Sequence, residues 1–171
     1  MKLVEIGGGV YPRQGYTNVD MLTCADIVHN LNDAPWPIED ASVDEVYTSH
    51  CIEHVKCPFV FVREICRICK VGAKVEIRCP DSMSDMALCA GHEYTFSMSQ
   101  VRHFAEFPAV WFNGDRKLTL VNQSWSSDPF FFNLARSNPI FNGWTDEDIT
   151  LWIPRTRHEN IFIFRVDNVN S

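Results

Sequence analysis

Gly7-Gly8-Gly9 closes the first apolar run of the chain, and Asp20 closes the second. Glycines at such a point let the backbone approach a ligand that a Cβ would repel. A carboxylate ending the neighbouring strand can accept hydrogen bonds from both hydroxyls of a ribose. The dinucleotide fingerprint asks for a small residue three positions after its second glycine and for an acid about 20 residues further on. Here Pro12 holds the first position and the acid comes early, at Asp20. Residues 7–16 are also a short connection for a crossover helix. These features disfavour NAD and favour a nucleoside ligand without phosphates. The alternative is a plain glycine turn beside an exposed Asp.

The histidines form a second group. His50 and His54 stand at helical spacing with Glu53 between them, so the two imidazoles share a face. That spacing suits a metal, but no third ligand is evident. We therefore expect no metal, and read His54 as capping a helix or pairing with Glu53. His92-Glu93-Tyr94 follows the fifth apolar run, at the sheet edge where open α/β folds bind ligands. Histidine titrates close to neutrality, which makes His92 the first candidate for a catalytic base and His50 the second. Cys66-x-x-Cys69 has a redox or zinc look, yet both thiols fall on an apolar helical stripe and no second pair matches; buried structural cysteines are the expectation. Trp125, Phe130-Phe131-Phe132, Trp144 and Trp152 are read as core before acceptor pocket.

The elements that must position these residues are short. Lys2–Ile6, Thr17–Val19, Asp26–His29, Glu45–Thr48 and Lys74–Cys79 read as strands. Near-continuous apolar strands predict a mostly parallel sheet covered on both faces. A helix over Phe59–Lys70 starts at Pro58, carries Phe59, Val62, Ile65, Cys66 and Cys69 at helical spacing, and stops at Gly72. Ser97 with Gln100 marks another helix start, ended by Pro108. Thr145-Asp146-Glu147-Asp148 opens a further one, ended by Pro154. Lys117–Gln123 and Asn160–Val166 read as strands that pair antiparallel at one edge.

At 171 residues the chain is expected to form one α/β domain. Fifteen Lys and Arg against 22 Asp and Glu give a net charge of −7, which disfavours gripping a phosphate backbone. No run approaches the ~18 apolar residues of a membrane span. Seven cysteines inside or beside apolar runs, with no secretion signal, read as reduced thiols in a cytoplasmic protein.

Taken together, Val4–Gly9, Gly15–Asp20, Ala25–Val28, Ala34–Val46, Tyr47–Val55 and Glu64–Ala73 resemble the class I S-adenosylmethionine-dependent methyltransferases. The closer likeness is to a small, type 11-like branch with a loop in place of a full first helix. Val71, Ala73 and Val43 depart from the family's usual Pro, Gly and Phe, away from the expected cofactor pocket. The resemblance spans about residues 3–81 and implies a Rossmann-like α/β fold: a mostly parallel central sheet with an antiparallel edge strand and flanking helices. Residues 1–81 would form the cofactor half and 82–171 the acceptor half. It implies S-adenosyl-L-methionine as cofactor, with Glu5, Gly7, Gly8 and Gly9 at its amino-acid end and Asp20, beside Met21, on the ribose. Leu31 and Asn32 would lie near the adenine, with Ser49 and His50 by the methyl group. The implied reaction is methyl transfer to an oxygen or nitrogen of a small molecule, sugar or protein side chain. Motifs of nucleic-acid methylation after the fourth strand are absent. A silent cofactor-binding subunit or scaffold of a larger complex is the competing reading.

Overall fold

A computed structural model describes residues 1–106, 115–152 and 157–169. Seven strands form one sheet: β1 (Leu3–Ile6), β2 (Thr17–Asp20), β3 (Ile27–Val28), β4 (Val43–Ser49), β5 (Cys69–Pro80), β6 (Arg116–Ser127) and β7 (Arg157–Asn168). Their order is β3-β2-β1-β4-β5-β7-β6. Pairings from β3 to β5 are parallel, and β7 runs antiparallel to both β5 and β6. The expected mostly parallel sheet with an antiparallel addition at one edge is therefore present.

Between β1 and β4 the chain makes no helix. Helix α1 (Pro58–Ile68) joins β4 to β5, and α2 (Met98–Glu106) lies between β5 and β6. Proline sits in the first turn of α1, where its missing N–H is not needed. Ser97 and Gln100 make the reciprocal capping box that starts α2: Ser97 N donates to Gln100 Oε1 at 2.8 Å and Gln100 N to Ser97 Oγ at 3.4 Å. Helices α3 (Pro129–Arg136) and α4 (Asp146–Trp152) follow β6. Asp128 caps α3 by accepting from Phe130 N and Phe131 N, and Thr145 Oγ1 accepts from Asp148 N at 3.1 Å to start α4. Pro108, Pro154 and the Trp152 side chain lie outside the described residues.

The end of α1 differs from expectation. Its last residue is Ile68, and Cys69 is already extended. The Arg116 guanidinium reaches over from β6 and donates to the carbonyls of Arg67 (2.9 Å) and Cys69 (2.7 Å), satisfying acceptors that a helix end leaves bare. Gly72, with φ +87, falls inside β5, where the register against β4 shifts between Val43 and Glu45. It makes a bulge and not a helix stop.

One apolar cluster joins Val46, Val75, Ile77, Phe162 and Phe164 of the sheet to Phe61, Val62 and Ile65 of α1 and to Val101 and Phe104 of α2. Strand positions of the other parity carry charge. Lys74 pairs with Glu45 at 3.0 Å and Arg78 with Glu76 at 2.7 Å, while the Arg13 guanidinium lies 4.3 Å from the Tyr47 ring centre. Apolar cover on both faces was thus the wrong expectation. The connections before β4 are helix-free, and among the described residues the positions of this parity carry charge, so these strands alternate.

A buried ion pair fastens the β3–β4 connection to α1. Glu64 is 4% exposed; its Oε2 accepts from Trp36 N at 2.7 Å and from Arg67 Nη2 at 2.8 Å. Arg67 also donates to the carbonyls of Trp36 (2.9 Å) and Ile38 (2.8 Å). Trp36 packs edge-on to Phe61 at 5.3 Å. Replacing Arg67 with Ala leaves the Glu64 charge buried without its counter-ion. The expected cost is about 3–5 kcal/mol of folding stability, measurable as a lower urea midpoint with an unchanged m-value.

Candidate functional site

At the carboxyl ends of β1, β2, β3 and β4 lies a cavity of ≈ 220 Å³. Gly7 enters it from β1, Asp20 and Met21 from β2, and Asn30, Leu31 and Asn32 from the turn after β3. His50, Cys51, His54 and Val55 close the other side. This edge is where parallel α/β sheets leave room for ligands, since the chain ends there turn away from one another.

The glycine turn is held from β2. Gly8 N donates to Asn18 Oδ1 at 3.0 Å, Gly9 N to Asp20 Oδ2 at 2.9 Å, and Asn18 Nδ2 to Gly9 O at 3.2 Å. Leu22 N takes the other Asp20 oxygen at 3.0 Å. A carboxylate has lone pairs beyond these two, so Asp20 can still receive a diol. The buried Glu5 carboxylate accepts from Arg13 N and braces the far side of the turn. Asn32 Oδ1 accepts from Lys56 N at 2.8 Å, which ties the turn after β3 to the segment after β4.

His50 occupies a left-handed conformation, φ +51. Its Nε2 meets Glu159 Oε1 at 3.0 Å and its Nδ1 faces Glu53 Oε1 at 3.5 Å. The carboxylates of Glu159 and Glu53 raise its pKa to about 9, against the opposing effect of burial. An imidazole already protonated at neutral pH has no lone pair with which to take a proton. The second candidate base is therefore a cation.

His54 does not pair with Glu53; its Nδ1 meets Gly91 O at 3.0 Å. His92 Nδ1 lies 3.4 Å from Ala87 O, and the His54 and His92 rings meet edge to face at 4.6 Å. Ligand atoms of Glu53, His54 and His92 all fall within 4.8 Å of one another. The group brought together is thus Glu53 and His54 with His92, from the loop after β5, and not the His50–His54 pair that the spacing offered. Backbone bonds from Glu93 N (2.8 Å) and Tyr94 N (3.2 Å) to Glu53 O hold that loop down.

Residues 14–77 match a family model described as a methyltransferase domain. No curated protein matches the sequence. Among solved structures, a SAM-dependent methyltransferase from Archaeoglobus fulgidus is 14% identical with a TM-score of 0.61, over 96% of this chain and 85% of that one. A chain from the complex between the Haloferax volcanii Trm112 methyltransferase activator and a methyltransferase is 16% identical, TM-score 0.60, over 96% and 81%. Phosphoethanolamine N-methyltransferase 2 of Haemonchus contortus, in complex with S-adenosyl-L-methionine, is 16% identical, TM-score 0.58, over 96% and 48%. The chain has the class I methyltransferase fold.

Within this methyltransferase fold the cavity gathers six of the ten residues expected around a cofactor: Gly7, Asp20, Met21, Leu31, Asn32 and His50. Glu5, Gly8, Gly9 and Ser49 do not line it; the first three build the turn instead. Sequence reasoning missed Asn30, Cys51, His54 and Val55 as lining residues. The i, i+4 relation of Cys51 to Val55 and of His50 to His54 carried a signal for one shared wall. Cys66 and Cys69 are buried as expected, and burial pushes the Cys66 thiol up to about 12 and raises Cys69 as well. The core reading of the aromatics fails for those described: Phe130 is 69% exposed on α3, and Trp125, Phe131, Phe132 and Trp144 are half-buried and outside the core cluster.

Gly7 and Gly9 separate two demands on the turn. Gly7 has φ +74, and a Cβ there would collide with Cys51 Sγ; at Gly9, with φ +60, a Cβ meets nothing within 4 Å. Gly7→Ala is expected to cost about 1–3 kcal/mol by overpacking beyond the roughly 1–2 kcal/mol that the left-handed backbone alone charges Gly9→Ala. Urea denaturation of the two variants side by side checks the difference.

Proposed function

We propose that the chain binds S-adenosyl-L-methionine in this cavity and transfers its methyl group to an oxygen or nitrogen acceptor. The observation that carries the reading is that Gly7 and Asp20, at the ends of adjacent strands, line one cavity. A nucleoside laid across these two strand ends sets its ribose on Asp20, its adenine towards Leu31 and Asn32, and its sulfonium end towards His50. The family match over 14–77 and the fold support the same cofactor.

A sulfonium methyl is already activated, so the protein's task is placement. The acceptor's lone pair forms a bond to the methyl carbon while the carbon–sulfur bond breaks and its electron pair stays on sulfur. A hydroxyl acceptor must also lose its proton. His54 stands in the cavity wall with the His92 ring against it, and the His50 cation holds the wall through Glu159 and Glu53. The acceptor side is built from residues after 81, where α3 and α4 follow β6. Small molecules, sugars and protein side chains are the acceptor classes that suit the acidic chain.

A second reading is a cofactor-binding subunit that needs a partner for turnover. It draws on the activator complex among the similar structures. Methyl transfer by the purified chain alone would set it aside.

The test of cofactor binding is calorimetric titration with S-adenosylmethionine, S-adenosylhomocysteine and NAD. Micromolar binding of the two sulfur nucleosides and none of NAD is expected; the reverse order would overturn the reading. Asp20→Ala should weaken the nucleosides by about 1–3 kcal/mol, the loss of a charge-assisted hydrogen bond. Unchanged affinity in a folded variant would remove Asp20 from the ribose site.

A further inference from the structure

We propose that Glu53, His54 and His92 bind a divalent first-row transition-metal ion at the rim of the nucleoside cavity. Two imidazoles and one carboxylate are a ligand set suited to Zn²⁺, Mn²⁺ or Fe²⁺, with coordination positions left open for water or substrate. Their ligand atoms lie within 4.8 Å of one another. Ligands ~2.1 Å from a tetrahedral ion sit ~3.4 Å apart, so closure asks for side-chain shifts of about 1 Å. His54, exposed at the cavity mouth, has room for them.

The second, independent observation is Glu53 itself. It is 1% exposed, and neither carboxylate oxygen accepts a hydrogen bond. Its nearest cation is His50 Nδ1 at 3.5 Å from Oε1, which leaves lone pairs of both oxygens without a donor. A buried carboxylate in this condition is costly unless a further positive charge meets it. The histidines are oriented to supply the rest of the shell. A backbone carbonyl can only accept, so Nδ1 of His54 carries its proton towards Gly91 O, and Nδ1 of His92 does so towards Ala87 O. In the neutral ring this leaves the Nε2 lone pair for a ligand, the arrangement in which metal-binding histidines are commonly held. The bonds from Glu93 N and Tyr94 N to Glu53 O fix the His92 loop over the other two ligands before any ion arrives.

Binding of the ion rests on these three side chains alone; its role rests on the methyl-transfer reading above. His54 belongs both to the triad and to the cavity wall. An acceptor hydroxyl bound at an open position of the ion therefore lies beside the cofactor's methyl end. The ion lowers the pKa of that hydroxyl, the proton leaves to water, and the oxygen lone pair attacks the methyl carbon as the carbon–sulfur pair returns to sulfur. His92 is thereby a metal ligand and not a free base, and the favoured acceptor is a hydroxyl compound, since softer nucleophiles need no such activation.

The test is titration of chelator-treated protein with Co²⁺, Zn²⁺ and Mn²⁺, following heat and the visible bands of Co²⁺. We expect one equivalent to bind, with Co²⁺ bands of nitrogen and oxygen ligation and no near-ultraviolet thiolate band from the exposed cysteines. His92→Ala and His54→Ala, at half-buried and exposed positions, should each weaken binding by about tenfold or more, and Glu53→Gln should do the same. Absence of saturable binding, a thiolate band, or affinity unchanged in the two histidine variants would overturn the site. S-adenosylhomocysteine titrated into the same samples reports on the nucleoside cavity separately. Retained nucleoside binding with no metal would reject the metal site alone, and metal binding with no nucleoside would reject the methyl-transfer reading alone.

Discussion

Backbone amides of the glycine turn donating into side chains of β2 are the interaction on which the site depends. Two parallel neighbours need a connection that returns the chain to its starting edge, ordinarily by way of a helix. Here residues 7–16 do it without one. What replaces helical hydrogen bonding is a set of local ties: Gly8 to Asn18, Gly9 to Asp20, and Arg13 to Glu5. They satisfy amides that would otherwise be bare, and they place Asp20 at the cavity. One parity of β4 and β5 carries Glu45, Lys74, Glu76 and Arg78 as ion pairs.

Charge is handled differently on the two sides of the cavity. Glu64 is neutralised completely, by Arg67 and by Trp36 N, and its work is to fasten a connection to α1. Glu53 is equally buried but only half answered, with one imidazolium at 3.5 Å. A protein that completes one buried carboxylate and leaves another open has spent its counter-charges unevenly. The open one lies beside the ligand cavity, where positive charge can come from outside the chain.

The sequence was most legible where signals are local. Pro58 and the apolar spacing after it located α1, and the capping pairs Ser97–Gln100 and Thr145–Asp148 located two helix starts. Lys117–Gln123 and Asn160–Val166 were legible as strands, and the strands there pair antiparallel. The glycine turn and Asp20 were legible as neighbours because each sits at the end of a strand, and Gly7 and Asp20 line one cavity. What could not be read was contact across the chain. Nothing near Glu53 and His54 in sequence points to His92, which arrives only because β5 runs beside β4 and its following loop folds back. Gly72 misled for the same reason: a glycine after an apolar helical run is an ordinary stop, yet the stop here is made by Arg116, far along in β6. Phe130-Phe131-Phe132 misled because composition reports apolarity and not the direction a side chain faces.

Arg116 has a consequence for how the chain can be divided. Its guanidinium closes the end of α1, and β7 supplies the only hydrogen-bonded neighbour on the outer side of β5 among the described residues. A fragment stopping near residue 81 would keep the glycine turn and Asp20 but would expose the backbone edge of β5 and uncover Val75 and Ile77, which Phe162 and Phe164 pack against. Bare strand edges of that kind recruit other chains. Residues 1–81 therefore do not behave as an interchangeable module: they cannot be excised, transplanted or expressed alone without a substitute for the clasp that the rest of the chain provides.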